Sequence, residues 1–235
     1  MARLKLITFD LDNTLWPVDR VIRRAEAACQ EWLAKLHPDA AAQLQPAMMR
    51  DIRNELLTAN PQYLNNLTAL RTDLLESGFR RAGYSEHDAR QFAQQAFDVF
   101  HEARNQVDLF PGALELLESL SDRYALGALS NGNADLRKAG LSDLFHFHHS
   151  AESVGKRKPA PDMFHAALES AGTGAHQSLH IGDHPVEDIG AALDVGFDAI
   201  WANLLGLEWP SQLPRHPHQV SSLEELQQLI EQLDQ

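Results

Sequence analysis

Asp10 and Asp12 stand on either side of a single leucine in the stretch FDLDNT, directly after an apolar run. Two carboxylates this close need a cation between them, or one keeps its proton. A hard divalent cation meets that need, and magnesium takes a few oxygen ligands together with water and substrate phosphate. The stretch GDHPVED adds Asp183 and, in the first turn of the helix that follows, Asp188. Four acidic side chains on one edge are costly without a metal. Anion-binding groups come from two other places. Ser130-Asn131-Gly132 reads as the end of a strand and the opening of a helix, where a hydroxyl and backbone N–H groups suit phosphate oxygens. Lys158 follows Lys156 and Arg157, and Pro159 and Pro161 stiffen the segment that would present its ammonium. The chemistry these residue types share is that of a phosphate ester met by acids, a metal and a lysine.

Single motifs of this kind are common by chance: x-D-x-D recurs widely, S-N-G is usually a turn, and KRKP is usually a solvated loop. Their order and placement carry the specificity. Leu4 to Phe9 form a short apolar run rich in strand formers, with Asp10 at its end. Tyr124 to Ser130, Ser178 to Asp183 and Phe197 to Asn203 repeat the pattern. Helical stretches lie between them: one with Leu114, Leu117 and Leu120, one at PDMFHAALESAG, and one from Val186 to Val195. Alternating strands and helices predict an α/β fold, a Rossmann-like doubly wound parallel sheet, with ligands gathered at the carboxyl ends of the strands.

One interval breaks the alternation. Asp12 and Ser130 are 118 positions apart, whereas a strand-helix-strand unit takes roughly 30 residues. Residues 17–106 therefore read as an insertion, and residues 1–16 and 107–235 as the catalytic core. The insertion is helical throughout. Ile22, Ala25, Cys29, Trp32, Leu33 and Leu36 keep one face, and so do Leu67, Leu70, Leu74, Leu75 and Phe79. Asp19 reads as the cap of the first helix and Ser85 with Asp88 as a capping box, while Asn60-Pro61 and Gly83 break helices. About four helices forming a small bundle over the carboxyl edge of the sheet are expected, with a closing helix between Val220 and Asp234.

Composition narrows the partners. Asp plus Glu number 33 against 20 Lys plus Arg, a net charge of −13 that repels a nucleic-acid backbone. No apolar run reaches the roughly 18 residues of a membrane span, and MARLKLITFDLD turns charged before a signal-peptide core develops. A cytoplasmic protein is expected, with no nucleic-acid or membrane partner, as a monomer or homodimer. The lone Cys29 sits among apolar neighbours at helical spacing and reads as a buried structural thiol. His146, His148 and His149 read as strand or surface loop rather than a metal site, because no carboxylate or cysteine stands at ligand spacing. His184 adjoins Asp183 and is expected to orient that loop. Trp16 reads as lining the insertion or as packing, and Trp201 and Trp209 as packing.

FDLDNTL, LSNG, KRKPAPDMF and IGDHPVEDIGAA together resemble the four ordered motifs of the haloacid dehalogenase superfamily, with residues 17–106 where that family inserts a helical cap of the C1 type. The resemblance implies that Asp10 is the nucleophile forming an aspartyl-phosphate, and that Asp12 protonates the leaving alcohol and then activates water. It implies that Asp10, the Asp12 backbone carbonyl and Asp183 hold Mg2+ with Asp188 in support, and that Ser130, Asn131 and Lys158 bind the phosphoryl group. Dehalogenases of the family lack the second aspartate, which Asp12 supplies here. Its phosphonate-cleaving members need a cap lysine, and the insertion has only Lys35. Its sugar phosphomutases carry a histidine soon after the first motif, and WPVDRVIRRAEA has none. Hydrolysis of a small-molecule phosphate ester is thus the implied activity. The LSNG and KRKP regions are similar to bacterial phosphatases of flavin mononucleotide and of 5-amino-6-(5-phosphoribitylamino)uracil. Pyrimidine nucleotidases share much of the pattern. Phosphotransfer to another alcohol, or a non-catalytic interaction protein docking through the insertion, are the alternatives.

Overall fold

The computed structural model describes residues 4–214 and 218–235. Its strands are β1 (Leu6–Phe9), β2 (Ala125–Ser130), β3 (Phe147–Ser150), β4 (Ser178–Gly182), β5 (Asp198–Ala202) and β6 (Gln219–Val220). They form one sheet in the order β3-β2-β1-β4-β5-β6, with every neighbouring pair parallel. β1 and β4 are buried along their whole length, as mostly apolar central strands covered on both faces are. β1 lies between β2 and β4, with Phe9 level with Ala128 on one side and Ile181 on the other. The chain therefore winds outward in both directions from β1. That reversal opens a crevice at the carboxyl ends, where Asp10, Ser130 and Asp183 emerge together.

The helices are α1 (Val18–Leu36), α2 (Pro38–Gln43), α3 (Pro46–Ala59), α4 (Leu67–Arg81), α5 (Glu86–Arg104), α6 (Ala113–Ser121), α7 (Ala151–Val154), α8 (Asp162–Ala171), α9 (Ala191–Val195) and α10 (Leu223–Leu233). The chain divides into two compact units: Asp19–Val107, which holds α2 to α5 and nearly all of α1, and the flanking segments that carry the sheet. The helical unit buries Ala25, Cys29 and Leu33 of α1 against Leu74, Leu75 and Phe79 of α4 and Ala93, Phe97 and Phe100 of α5. Cys29 is the buried thiol expected, donating to the Ala96 carbonyl, and burial pushes it up to about 11. In the sheet unit, Met163, Phe164 and Ala167 of α8 pack with Leu6, Leu129 and Trp201. No helix among the described residues is long and apolar enough to cross a membrane.

Several local expectations change. Leu36 and Leu114 face solvent, because the stripes close on Val21 with Leu33 in α1 and on Leu116 with Leu117 in α6. Asp19 lies inside the first turn of α1, and the Asn13 carboxamide accepts from the Val18 N–H instead. Ser85 does cap α5, but Asp88 answers its hydroxyl rather than its backbone. No helix opens after Ser130. The chain turns instead, with Asp135 Oδ1 accepting from the Arg137 N–H and Gly140 at φ +74° closing the turn. The stretch from Val186 starts as a π-helical turn, Pro185–Gly190, before α9. β6 has two residues, too few to show a period in sequence.

Candidate active site

β1 ends where Asp10, 7% exposed, donates its N–H to the Ile181 carbonyl of β4. Residues 11–16 then fold into a tight turn. Asn13 takes φ +65°, a left-handed conformation that asparagine tolerates, and its N–H bonds the Trp16 carbonyl at 2.7 Å. The turn aims side chains back at the strand tip. Thr14 Oγ1 donates to Asp10 Oδ2 at 3.3 Å, the Trp16 indole donates to Asp12 Oδ1 at 2.8 Å, and the Asn13 side chain bonds Asp183.

Lys158 is the pivot of the site. Although it belongs to a KRKP run, only 1% of it is exposed. Its ammonium donates to Asp10 Oδ1 at 2.8 Å, to Asp188 Oδ1 at 2.5 Å and to the Leu129 carbonyl at 2.6 Å. Asn131 fastens the segment that carries it: its Oδ1 accepts from the Lys158 N–H at 2.7 Å, and its Nδ2 donates to the Lys158 carbonyl and to Glu187. Ser130 Oγ accepts from the Gly132 N–H at 2.9 Å, and Ser130 stands in the wall of the cavity.

β4 delivers the remaining acids. Asp188 Oδ1 is shared by Lys158 and by His180 Nε2 at 3.2 Å, and Oδ2 accepts from the His184 N–H at 2.9 Å. His184 Nδ1 in turn accepts from the N–H groups of Val186 and Glu187, so it shapes the loop after Asp183. The Trp201 indole donates to the Asp183 backbone carbonyl at 2.6 Å.

Charge explains how these groups titrate. Burial works against the charge on Asp188, but Lys158 and His180 hold it well below the usual carboxylate range. Burial also works against Lys158, and Asp10 and Asp188 more than offset it, so the ammonium is held above its ordinary value. Asp10 is pushed up by burial against the pull of Lys158, with Asp188 and Asp183 adding repulsion. Asp183 is pushed up to about 7 by burial and then by Asp188. Burial holds the His180 imidazole below its usual range, against the pull of Asp188.

Carboxylate oxygens of Asp10, Asp183 and Asp188 lie within 4.8 Å of one another, in a cavity of about 190 Å³. Asp12, Ser130, Asn131 and Lys158 line the same cavity, so every residue singled out by the motifs meets there. With all three carboxylates ionised, one ammonium leaves two negative charges unanswered. An all-oxygen donor set with that deficit fits a hard divalent cation. It is the only such cluster of acidic, His or Cys groups among the described residues. The three histidines lie elsewhere, His148 and His149 in β3 and His146 just before it; His146 Nδ1 accepts from the Leu126 N–H and His149 bonds Ser170. A second cavity, about 280 Å³ inside the helical unit, has Cys29, Met49, Leu74 and Arg71 in its wall and a single acid, Glu26.

The structure adds partners the motifs do not show. Trp16 and Trp201 donate into the site rather than merely packing, and Thr14, Thr8 and His180 support it from below. A threonine and a histidine inside otherwise apolar buried strands were the available signal.

The model of the haloacid dehalogenase-like hydrolase family matches residues 4–196. The chain is a haloacid dehalogenase-like hydrolase. It is 31% identical over 98% of its length, and 98% of the relative's, to the 5-amino-6-(5-phospho-D-ribitylamino)uracil phosphatase YigB of Escherichia coli strain K12. The pyrimidine 5'-nucleotidase YjjG of the same strain is 33% identical over 51% of this chain and 56% of its own. A solved structure described as a 2-haloacid dehalogenase from Pseudomonas syringae pv. Tomato DC3000 superimposes with a TM-score of 0.91 and 38% identity, covering 98% of this chain and 99% of that one. As a member of this hydrolase family, the protein carries its acid cluster where an α/β sheet gathers ligands.

Proposed function

We propose that this hydrolase is a magnesium-dependent phosphatase of small soluble phosphomonoesters, working through a phosphorylated Asp10. The observation that carries the reading is the meeting of Asp10, Asp183 and Asp188 around one buried lysine, with Asp12 in the same cavity. Asp10 attacks phosphorus, and the ester oxygen leaves as the alcohol with a proton from Asp12. Water then attacks the acyl phosphate while Asp12 takes its proton, which releases phosphate and restores Asp10. Lys158, the Ser130 hydroxyl and the backbone of Asn131 hold the phosphoryl oxygens. Asp10, Asp183 and the Asp12 carbonyl would hold the magnesium ion, braced by Asp188. When bound, it neutralises charge on the transferring group.

The cavity has room for a phosphoryl group and an ion, so the body of the ester must project beyond it. The substrate we infer is a ribityl phosphate, 5-amino-6-(5-phospho-D-ribitylamino)uracil, with flavin mononucleotide as its relative. Similarity to the Escherichia coli enzyme, 31% over 98% of both chains, supports that choice over a pyrimidine nucleotide, since one pyrimidine 5'-nucleotidase matches about half of each chain and another is 29% identical over 87% of this chain.

The likeness to a protein described as a 2-haloacid dehalogenase favours a second reading, in which Asp10 displaces halide. A departing halide needs no proton, so Asp12 would have no task there. Phosphate release from the ribityl ester, flavin mononucleotide and uridine monophosphate, set against chloride release from 2-chloropropionate, separates the two. Magnesium-dependent phosphate release that Asp10→Asn abolishes is expected. Chloride release in its place, or hydrolysis surviving Asp10→Asn, overturns the proposal.

A further inference from the structure

Behind the cavity lie two buried polar side chains, Thr8 and His180, to which the reaction assigns no task. Thr8 of β1 and His180 of β4 sit opposite each other in the parallel pairing, both fully buried. Thr8 Oγ1 is 2.8 Å from His180 Nδ1, and His180 Nε2 is 3.2 Å from Asp188 Oδ1. Asp188 Oδ1 also takes the Lys158 ammonium, which reaches on to Asp10 Oδ1. Phe164 stands edge-on to the imidazole, with ring centres 5.0 Å apart. The contacts run unbroken from the floor of the sheet to the nucleophile.

The tautomer follows from these contacts. If Nδ1 carried the hydrogen of the neutral ring, the Nε2 lone pair would face a buried carboxylate with nothing between them. With the hydrogen on Nε2, that nitrogen donates to Asp188, and the Thr8 hydroxyl donates to Nδ1. The Asp188 carboxylate thus selects the tautomer, and the Thr8 hydroxyl, whose other acceptor is the Leu179 carbonyl at 3.4 Å, holds the ring at Nδ1.

Resting on the phosphatase reading, we propose that His180 is a positioning residue which, oriented by Thr8, holds Asp188 so that Asp188 can hold Lys158. The demand peaks after Asp10 has been phosphorylated. Its carboxylate has then become an acyl phosphate, and Asp188 is the one carboxylate still paired with the ammonium. A drifting Asp188 would let Lys158 follow the phosphoryl group and slow the second half of the reaction. Partners at this remove from the reacting atoms typically matter by about 10- to 100-fold.

His180→Gln and His180→Asn divide the two ends of the ring. The glutamine amide reaches the place of Nε2 and keeps a donor to Asp188, whereas the shorter asparagine reaches only the place of Nδ1. With p-nitrophenyl phosphate and magnesium, His180→Asn is expected to lower kcat about tenfold with KM within about twofold. His180→Gln is expected to recover most of that loss. Thr8→Val, which removes only the hydroxyl, is expected to lower kcat several-fold and carries the kinetic test alone if His180→Asn does not fold. A folded His180→Asn or Thr8→Val with wild-type kcat overturns the proposal, and so does a His180→Gln as impaired as His180→Asn. A second readout is independent of activity: the histidine 15N spectrum, assigned by the signal lost in His180→Gln, should show Nε2 protonated and Nδ1 bare. The opposite tautomer overturns the proposal even if the phosphatase activity is confirmed, whereas the expected tautomer in a protein without phosphatase activity sinks only the functional reading.

Discussion

The indole N–H of Trp16 donates to Asp12 Oδ1 at 2.8 Å, so the side chain proposed to protonate the leaving group is aimed by a fully buried neighbour. Trp16→Phe keeps an aromatic ring in place and removes the donor. Alkyl phosphates need a proton on the departing oxygen, whereas p-nitrophenol leaves without one. The variant should lose about tenfold in kcat on an alkyl ester, a part of the roughly 10²- to 10⁴-fold that general acid catalysis supplies. On p-nitrophenyl phosphate it should stay close to wild type. Equal losses on both esters would show that Trp16 only packs.

Lys158→Met tests the charge network. The methionine fills most of the space but leaves Asp10 and Asp188 buried side by side without their cation. Breaking such a pair typically costs about 3–5 kcal/mol, and urea unfolding near neutral pH should show a loss of that order. The lysine's raised value lies above the range tested, so its own contribution is constant there. In the variant, the two acids lose their ammonium and their folded pKa values rise. The destabilisation should therefore shrink as the pH falls and protons neutralise them. A loss under about 1 kcal/mol, the range of an exposed pair, would mean that the three groups are not coupled.

How much of this site could be read beforehand depended on whether a residue's task is local or arises from pairing across the sheet. Asp10, Ser130 and Asp183 stand at the ends of apolar runs, and an α/β sheet delivers such ends to one edge, so their meeting followed from spacing. Lys158 was legible as an ammonium offered to phosphate, but not as a buried one. Its burial depends on Asn131 clamping its backbone from a loop 27 positions away. Trp201 looked like filler, because nothing in the sequence shows that β5 brings its indole to the Asp183 carbonyl. The helix expected after Ser130 failed for a local reason. Asp135 satisfies the following N–H groups with its side chain, and the chain closes a turn at Gly140 instead of continuing.

Gly182, the last residue of β4, owes its identity to Asp188. A Cβ at this position would collide with the Asp188 side chain, including its Cγ and Oδ2. Gly182→Ala must therefore displace the carboxylate that Lys158, His180 and the His184 N–H share. Overpacking of this kind costs about 1–3 kcal/mol. The kinetic damage should be larger than that loss suggests, with kcat falling at least about tenfold while KM changes little. A melting curve and steady-state kinetics on the same sample decide it. Unchanged kcat with reduced stability would show that the position of Asp188 is not critical.

Magnesium and protons should compete for the same oxygens. Asp183 moves from an ordinary 3.8 to about 7 in the folded protein without a cation, because it is buried beside Asp188. The unfolded chain keeps the ordinary value, so the folded protein binds this proton more tightly. The contribution of Asp183 to stability is therefore complete below about pH 4 and is lost as the pH rises through about 7. A bound cation reverses that loss, since it needs the ionised carboxylate and offsets the repulsion. Apparent magnesium affinity should rise by up to about tenfold per pH unit below 7 and level off above it. Stabilisation by magnesium should accordingly be greater on the alkaline side of 7 than on the acid side. Calorimetric titration across that range measures the slope directly, and Asp183→Asn should remove both the slope and most of the affinity. An affinity independent of pH through 7 would show that the ion binds away from Asp183.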